Sequence, residues 1–118
     1  TFEHRRHARL DSVIHELTVD ELKAQLDAGE RPLIIDVREG WELELCKLDG
    51  IVHIPLGQLP ERYGELDAER PTIIMCRSGG RSMQAARFLE GCGFRSVTNL
   101  TGGILAWGER IDPSLRPY

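Results

Sequence analysis

Short apolar runs alternate with segments of helical periodicity along most of this chain. The runs predict five strands, at residues 12–16, 33–37, 52–54, 72–76 and 96–100. A first helix opens near residue 18, and further helices are predicted at 39–46, 57–66, 82–91 and 104–110. Two runs, 33–37 and 72–76, are almost continuously apolar, which is typical of strands buried on both faces. The pattern predicts an α/β, doubly wound domain, with a central parallel sheet of about five strands flanked by helices on both faces.

The first helix has clear start and stop signals. Thr18 can act as its N-cap, and Glu21, three residues later, completes a capping box. Gly29 is placed to end the helix, and Pro32 follows shortly after it. The strand at 33–37 therefore begins directly after a well-defined helix end.

The segment after the fourth strand, residues 76–82, carries the strongest chemical signal. Cys76 lies at the carboxyl end of its strand, where doubly wound sheets bind their ligands. Gly79 and Gly80 allow the backbone to fold tightly, so that successive amide N–H groups can converge on one point. The following helix directs its positive end at the same loop. We therefore expect a pocket that stabilises an anion on the Cys76 sulfur.

A thiolate in such a pocket is a nucleophile. The pKa of a free cysteine is about 8.5, and helix N-termini and arginines lower it to roughly 3.5–7.5. A cysteine that merely closes a core strand is the plain alternative, but it leaves the Ser-Gly-Gly-Arg-Ser sequence unexplained. We expect Cys76 to be the catalytic residue. The expected substrate-binding residues are Arg77, Ser78, Gly79, Gly80, Arg81 and Ser82.

Four motifs in this order resemble those of the rhodanese-type, thiosulfate sulfurtransferase-like single-domain family. The loop at 76–82 is similar to the family's Cys-Arg-x-Gly-x-Arg-Ser/Thr, and 33–39 resembles its (Ile/Leu)-Asp-Val-Arg strand. Residues 50–56 resemble Gly-Ala-x-Asn-Ile-Pro, and 100–107 resemble Leu-x-Gly-Gly-Ile-x-Ala-Trp. The chain departs from the family at 47–51, where His-Ile-Pro-Gly-Ala is common, and at His53, where asparagine is common.

This resemblance implies a sulfurtransferase that works in two steps. Cys76 accepts sulfane sulfur from an anionic donor such as thiosulfate or a low-molecular-weight persulfide, and holds it as a persulfide. A thiophilic acceptor then takes the sulfur. Cyanide, a thiol, a thioredoxin-like protein or a sulfur-carrier protein could serve as acceptor, and a cysteine desulfurase could serve as donor. The family also implies that the loop amides are the main ligands of the outer sulfur.

The length of the loop separates this reaction from phosphate chemistry. Tyrosine-phosphatase-like enzymes place five residues between cysteine and arginine, whereas four lie between Cys76 and Arg81. One residue spans at most about 3.3–3.6 Å, so the shorter ring suits a single sulfur atom better than a tetrahedral phosphate. A cysteine-based phosphatase or arsenate reductase, and a non-catalytic binding or regulatory module, stay open as alternatives.

Several polar residues near the predicted site allow two interpretations. Asp36 and Arg38 end the second strand, either as a local salt bridge and helix cap or as supports of the active loop. Arg81 could instead pair with a carboxylate, and Ser82 could cap its helix. His53 has no partner group specified, so we do not expect it to act as a base for the cysteine.

The acidic segment after Arg38 and the two other cysteines each allow two interpretations. The favoured interpretation of Glu39, Trp41, Glu42 and Glu44 is a solvated acidic face with one core tryptophan; the alternative is a surface for a partner protein. Cys46 and the later Cys92 are expected in the core; alternatively one of them receives sulfur from the reactive cysteine or protects it as a disulfide.

Composition limits the remaining functions. The net charge of −4 gives no reason to expect a nucleic-acid partner, and no apolar run reaches the roughly 20 residues that span a bilayer. No signal peptide is visible, and the cysteines and histidines lack metal-ligand spacing, so we expect no metal or other cofactor. Three widely spaced cysteines suit the reducing cytoplasm.

The expected organisation is one domain with two tails. A basic N-terminal tail covers 1–11, the domain covers 12–110, and a C-terminal tail with two prolines covers 111–118. Because the chain starts at Thr1 rather than at a methionine, we expect it to be processed, trimmed or cut from a longer protein.

Overall fold

Five parallel strands form the centre of the structure, a computed structural model that describes residues 14–115. The strands are β1 (His15–Leu17), β2 (Leu33–Asp36), β3 (Val52–His53), β4 (Thr72–Met75) and β5 (Val97–Leu100). Their order across the sheet is β1-β5-β4-β2-β3, and every neighbouring pair is parallel. The predicted parallel sheet is therefore confirmed, with β4 at its centre.

The apolar runs are continuous because the sheet is covered on both faces. Ile35 and Ile74 belong to one core cluster, whereas their chain neighbours Ile34 and Ile73 belong to another. Side chains alternate between the two faces of a strand, so both faces need apolar residues. The helices are α1 (Val19–Asp27), α2 (Gly40–Leu45), α3 (Leu59–Arg62), α4 (Gly80–Gly91) and α5 (Gly103–Arg110).

Helix α1 begins as its sequence predicts. The Thr18 hydroxyl accepts a hydrogen bond from the amide of Glu21 at 3.1 Å, and the Glu21 carboxylate accepts one from the Thr18 amide at 2.8 Å. This capping box satisfies two amides that a helix start leaves without intrahelical partners. Gly29 follows the helix with a φ of 89°.

The predicted helix at 57–66 is wrong as a single α-helix. The chain forms a 3-10 turn (Leu56–Gln58), the four-residue α3 and a second 3-10 turn (Tyr63–Glu65). Pro60 has no amide to donate, and Gly64 lowers helix stability, so a continuous helix is disfavoured over this stretch.

The helix predicted to start at residue 82 starts earlier, at Gly80. Gly79 is its N-cap and has a φ of 116°, a conformation that favours glycine. Ser82 is therefore the third residue of α4, and the expectation that it could cap this helix is wrong.

The two expected tails differ in how much of them is described. The basic segment 1–11 and the first two residues of the predicted strand 12–16 lie outside the described residues. In the C-terminal segment, Ile111 and Leu115 are partly buried against the core cluster that contains Trp107. No helix among residues 14–115 is both long and apolar enough to cross a membrane.

Candidate active site around Cys76

Cys76 follows β4 at the carboxyl end of the central strand, and its side chain is only 1% exposed. Two backbone amides point at its sulfur, that of Gly79 at 3.1 Å and that of Ser82 at 3.4 Å. The Ser82 hydroxyl lies 3.3 Å from the same sulfur. The chain thus folds around Cys76 with polar hydrogens directed inward.

These contacts change the acidity of the thiol. Burial alone raises the pKa of Cys76, because it disfavours the charged thiolate. A hydrogen bond between the Ser82 hydroxyl and the sulfur, together with hydrogen bonds from the amides of Ser82, Gly79 and Ser78, opposes this effect and leaves the pKa below its ordinary value. The surroundings therefore favour the thiolate, which is the nucleophilic form of cysteine.

The glycines before α5 allow that helix to approach the loop from behind. The amides of Ile104 and Leu105 donate to the carbonyl oxygens of Cys76 and Arg77, at 3.0 and 3.1 Å. A Cβ atom at Gly103 would collide with both of those carbonyl oxygens, and Gly103 itself has a φ of 57°. Gly103 of the 100–107 motif therefore has a physical role, because a side chain there would displace the cysteine loop.

Behind the sulfur lies a chain of hydrogen bonds that begins with neutral side chains and ends on the carboxylate of Glu16. The Ser82 hydroxyl donates to Oδ1 of Asn99 at 2.5 Å. The Asn99 amide nitrogen donates to the Gly79 carbonyl at 3.3 Å and to the carboxylate of Glu16 at 3.2 Å. The Thr101 hydroxyl donates to the same carboxylate oxygen of Glu16 at 2.7 Å. This network joins Cys76 to strands β5 and β1.

On the other side of the loop, Arg81 is held by an ion pair. Its guanidinium donates to both carboxylate oxygens of Glu42, at 2.6 and 2.8 Å. The hydrogen bond from Arg81 lowers the pKa of Glu42 against the opposing effect of burial, and the same bond raises the pKa of Arg81. Arg81 thus takes the carboxylate pairing that the sequence left open.

A second ion pair supports the helix that carries Glu42. Asp36 and Arg38 are both fully buried and lie 2.8 Å apart. Arg38 also donates to the carbonyl oxygens of Glu42 and Cys46, at 3.4 and 2.9 Å, and so holds α2 to the end of β2. The pair is a local salt bridge, and through α2 it also reaches the residue that binds Arg81. The local salt bridge is therefore observed, and support of the active loop by Asp36 and Arg38 stays a prediction.

The remaining predicted loop residues lie at the rim. Ser78 and Gly80 are exposed, and Arg77 is partly buried. His53 makes a 2.7 Å hydrogen bond to the Arg38 carbonyl, so it belongs to the support around α2. Two surface clefts of about 390 and 500 Å³ do not include Cys76 in their lining.

Three expectations about side-chain burial are wrong. Trp41 is 60% exposed rather than in the core, and Glu42 is 2% exposed rather than solvated. The six-residue α2 is too short for periodicity to define its buried face, and Arg81 provides the buried Glu42 with a partly exposed partner. Cys92 is exposed at the end of α4, whereas Cys46 is buried as expected.

Glu42, Asn99 and Glu16 were not found as site residues from the sequence. The signal for Asn99 was a polar side chain between Val97 and Leu100 on a short strand; in the structure Asn99 is only 3% exposed. Glu42 and Glu16 gave no comparable signal. In the part of the chain that the structure describes, no group of three or more His, Cys, Asp or Glu residues could hold a metal ion.

Comparison with known proteins gives a consistent result. The Rhodanese-like domain profile matches residues 18–110. The chain is 32% identical over 105 residues to a protein named sulfurtransferase from Allochromatium vinosum, covering 89% of this chain and 98% of that protein. It is 38% identical over 112 residues to rhodanese-like/PpiC domain-containing protein 12 of Arabidopsis thaliana, with 89% of this chain matched but only 38% of the relative's length.

A solved structure agrees with the sequence matches. A rhodanese-like domain protein from Staphylococcus aureus superimposes with a TM-score of 0.77 at 28% identity. The superposition covers 83% of this chain and 95% of the bacterial one. The fold expected from the sequence motifs is therefore confirmed.

Proposed function

The chain belongs to the rhodanese-like domain family, and on this premise we propose that it is a sulfurtransferase that carries sulfur as a persulfide on Cys76. The observation that supports the assignment is the pair of amide contacts to the Cys76 sulfur, from Gly79 at 3.1 Å and Ser82 at 3.4 Å. Amide donors aimed at one atom stabilise negative charge that develops there. Both the thiolate and the outer sulfur of a persulfide carry such charge.

The first half-reaction uses the thiolate as the nucleophile. Cys76 sulfur attacks the outer sulfur of thiosulfate, a new sulfur–sulfur bond forms, and the bond to the sulfonate sulfur breaks. Sulfite leaves with the electron pair of that bond. No separate base is needed, because the surroundings already lower the pKa of the thiol.

In the second half-reaction an acceptor nucleophile attacks the outer sulfur. The bond between the two sulfur atoms breaks, and its electron pair returns Cys76 to the thiolate. Cyanide yields thiocyanate by this route, and a thiol or a sulfur-carrier protein yields a new persulfide. A reducing compartment such as the cytoplasm would keep Cys76 available for each cycle.

The ion pair of Arg81 favours sulfur transfer over phosphate hydrolysis. A phosphatase needs its loop arginine to bind phosphate oxygens in bidentate fashion. Here Glu42 already occupies both ends of the Arg81 guanidinium. In the proposed reaction, Arg81 contributes positive potential and loop position, while the amides and Arg77 meet the anionic donor.

Intact mass spectrometry after incubation with thiosulfate tests this proposal. We expect the protein to gain the mass of one sulfur atom, to lose it on treatment with dithiothreitol, and to form thiocyanate when cyanide is added. The Cys76→Ser variant should gain no sulfur. The matched control is Cys92→Ser, which removes an exposed thiol outside the loop and should behave as the parent protein.

Two results would contradict the proposal. If Cys76→Ser still gains sulfur and Cys92→Ser does not, the persulfide forms on Cys92 rather than on Cys76. Rapid hydrolysis of an aryl phosphate, without any persulfide after thiosulfate or glutathione persulfide, would favour the phosphatase alternative.

A further inference from the structure

The orientation of the Asn99 amide is determined by its neighbours. Its nitrogen lies 3.3 Å from the Gly79 carbonyl oxygen and 3.2 Å from a carboxylate oxygen of Glu16, and both of these atoms only accept hydrogen bonds. The nitrogen must therefore face them. The Asn99 oxygen is left facing the Ser82 hydroxyl at 2.5 Å.

This orientation determines where the Ser82 proton lies. An amide oxygen cannot donate, so Ser82 donates its only hydroxyl proton to Asn99. The Ser82 oxygen can then only accept a hydrogen bond from Cys76, whose sulfur is 3.3 Å away. This arrangement fits the neutral thiol, with the S–H group as donor.

Ionisation of Cys76 removes that S–H donor. The Ser82 oxygen would then face a negative sulfur with its lone pairs, unless the hydroxyl turns and donates to the thiolate. Turning takes the proton away from the Asn99 oxygen, which is buried and has no other donor among its described contacts. Asn99 and the thiolate thus compete for one proton.

We propose that Asn99 acts through Ser82 as a positioning residue that restrains the ionisation of Cys76. The amides of Gly79 and Ser82 favour the thiolate, and Asn99 opposes them by holding the hydroxyl proton. The relevance of this restraint to sulfur transfer rests on the proposed function, whereas the restraint itself concerns only the thiol.

Charged groups from several elements also surround the thiol. Arg81 of α4 interacts electrostatically with Cys76, and Arg77 follows it in the loop. On β2, its end and α2, Asp36 is paired with Arg38, and Glu42 is paired with Arg81. Glu16 of β1 binds the Asn99 amide. A substitution of Asn99 by an uncharged residue changes none of these charges.

The rate of alkylation by iodoacetamide, measured against pH without any sulfur donor, tests the proposal. Asn99→Leu keeps the branched shape of the side chain but removes the acceptor, so the midpoint of the Cys76 rate should move about 0.5–1 pH unit lower. Asn99→Asp strengthens the acceptor and also adds a negative charge, and both changes should move the midpoint higher. The measurements are made in a Cys92→Ser background, because Cys92 is exposed.

A double-mutant cycle separates this effect from a loss of structure. In a Ser82→Ala background, Asn99→Leu should no longer shift the midpoint, because the hydroxyl that transmits the effect is absent. A shift that persists there, or a higher midpoint in Asn99→Leu, would overturn the proposal. A shift of equal size in Glu16→Gln would assign the effect to charge and overturn it as well.

The outcome is independent of the sulfurtransferase assignment. If the midpoints move as expected but no persulfide forms, the proposed function fails and the restraint stands. If Asn99→Leu does not fold, Asn99→Asp is measured with and without the Ser82 hydroxyl. A rise in the midpoint that is larger with Ser82 than in the Ser82→Ala background supports the proposal, and an equal rise in both backgrounds is a charge effect and refutes it.

Discussion

Two polar networks meet at the cysteine loop, and they differ in charge. On the side of β2 and α2, Asp36 pairs with Arg38 and Glu42 pairs with Arg81. On the side of β5, the neutral side chains of Ser82 and Asn99 are hydrogen-bonded to each other, and the Glu16 carboxylate lies at the far end of the network. In the second network, the Ser82 hydroxyl lies within hydrogen-bonding distance of the Cys76 sulfur.

This difference separates two roles: one network holds the loop in position, and the other adjusts the acidity of the Cys76 thiol. Buried ion pairs are strongly destabilising when one partner is removed, so they fix positions firmly. A hydroxyl between two acceptors can change its donor direction without moving heavy atoms. We therefore expect substitutions in the charged network to have their largest effect on stability. Substitutions of Ser82 and Asn99 should have their largest effect on the pKa of Cys76.

Replacement of Arg38 should have the largest effect on stability. Arg38→Met would leave the fully buried carboxylate of Asp36 without its partner, at a cost of about 3–5 kcal/mol in the free energy of unfolding. Urea denaturation measures this loss. The matched control is Lys23→Met, which breaks an exposed pair with Asp27 and should cost less than about 1 kcal/mol. Equal losses in the two variants would remove the distinction between the buried and exposed pairs.

Replacement of Glu42 should have an intermediate effect that depends on pH. Glu42→Gln loses the charge-assisted bonds to Arg81, and we expect a cost of about 1–2 kcal/mol at neutral pH, since Arg81 is partly hydrated. The pKa of Glu42 is lowered in the folded state, so its contribution is present above the unfolded value, near 4.5, and is lost as the pH falls through the folded value.

The comparison of parent and Glu42→Gln across pH checks that sign. The stability gap between the two proteins should be full at neutral pH and should close in acid below the unfolded pKa. A gap that widens on acidification would contradict the pairing of Glu42 with Arg81.

Replacement of Trp41 should have the smallest effect, although it adjoins Glu42. The residue is 60% exposed, so Trp41→Ala should cost less than about 1 kcal/mol in the free energy of unfolding. Thermal or urea denaturation measures it. A larger loss than that of Glu42→Gln would mean that α2 is held by its aromatic residue rather than by its carboxylate.

The fold could be predicted from the sequence more fully than the residues that hold the cysteine loop in place. Continuous apolar runs and the Thr18 capping box are local signals, and both predicted the structure correctly. The cysteine loop was also local, since its residues are consecutive. The supports are not local, because Glu42 and Arg81 are 39 positions apart and Ser82 and Asn99 are 17 apart.

The peptide groups of the loop are sorted by polarity around Cys76. The carbonyl oxygens of residues 76 and 77 are bound by the amides that open α5, behind the loop, while the amide hydrogens of Gly79 and Ser82 face the sulfur. A second sulfur atom added to Cys76 would thus enter a shell of hydrogens from which these two oxygens have been turned away. Helix α5 has no described hydrogen bond to the thiol, but by binding these carbonyl oxygens it keeps them away from an anionic sulfur on Cys76.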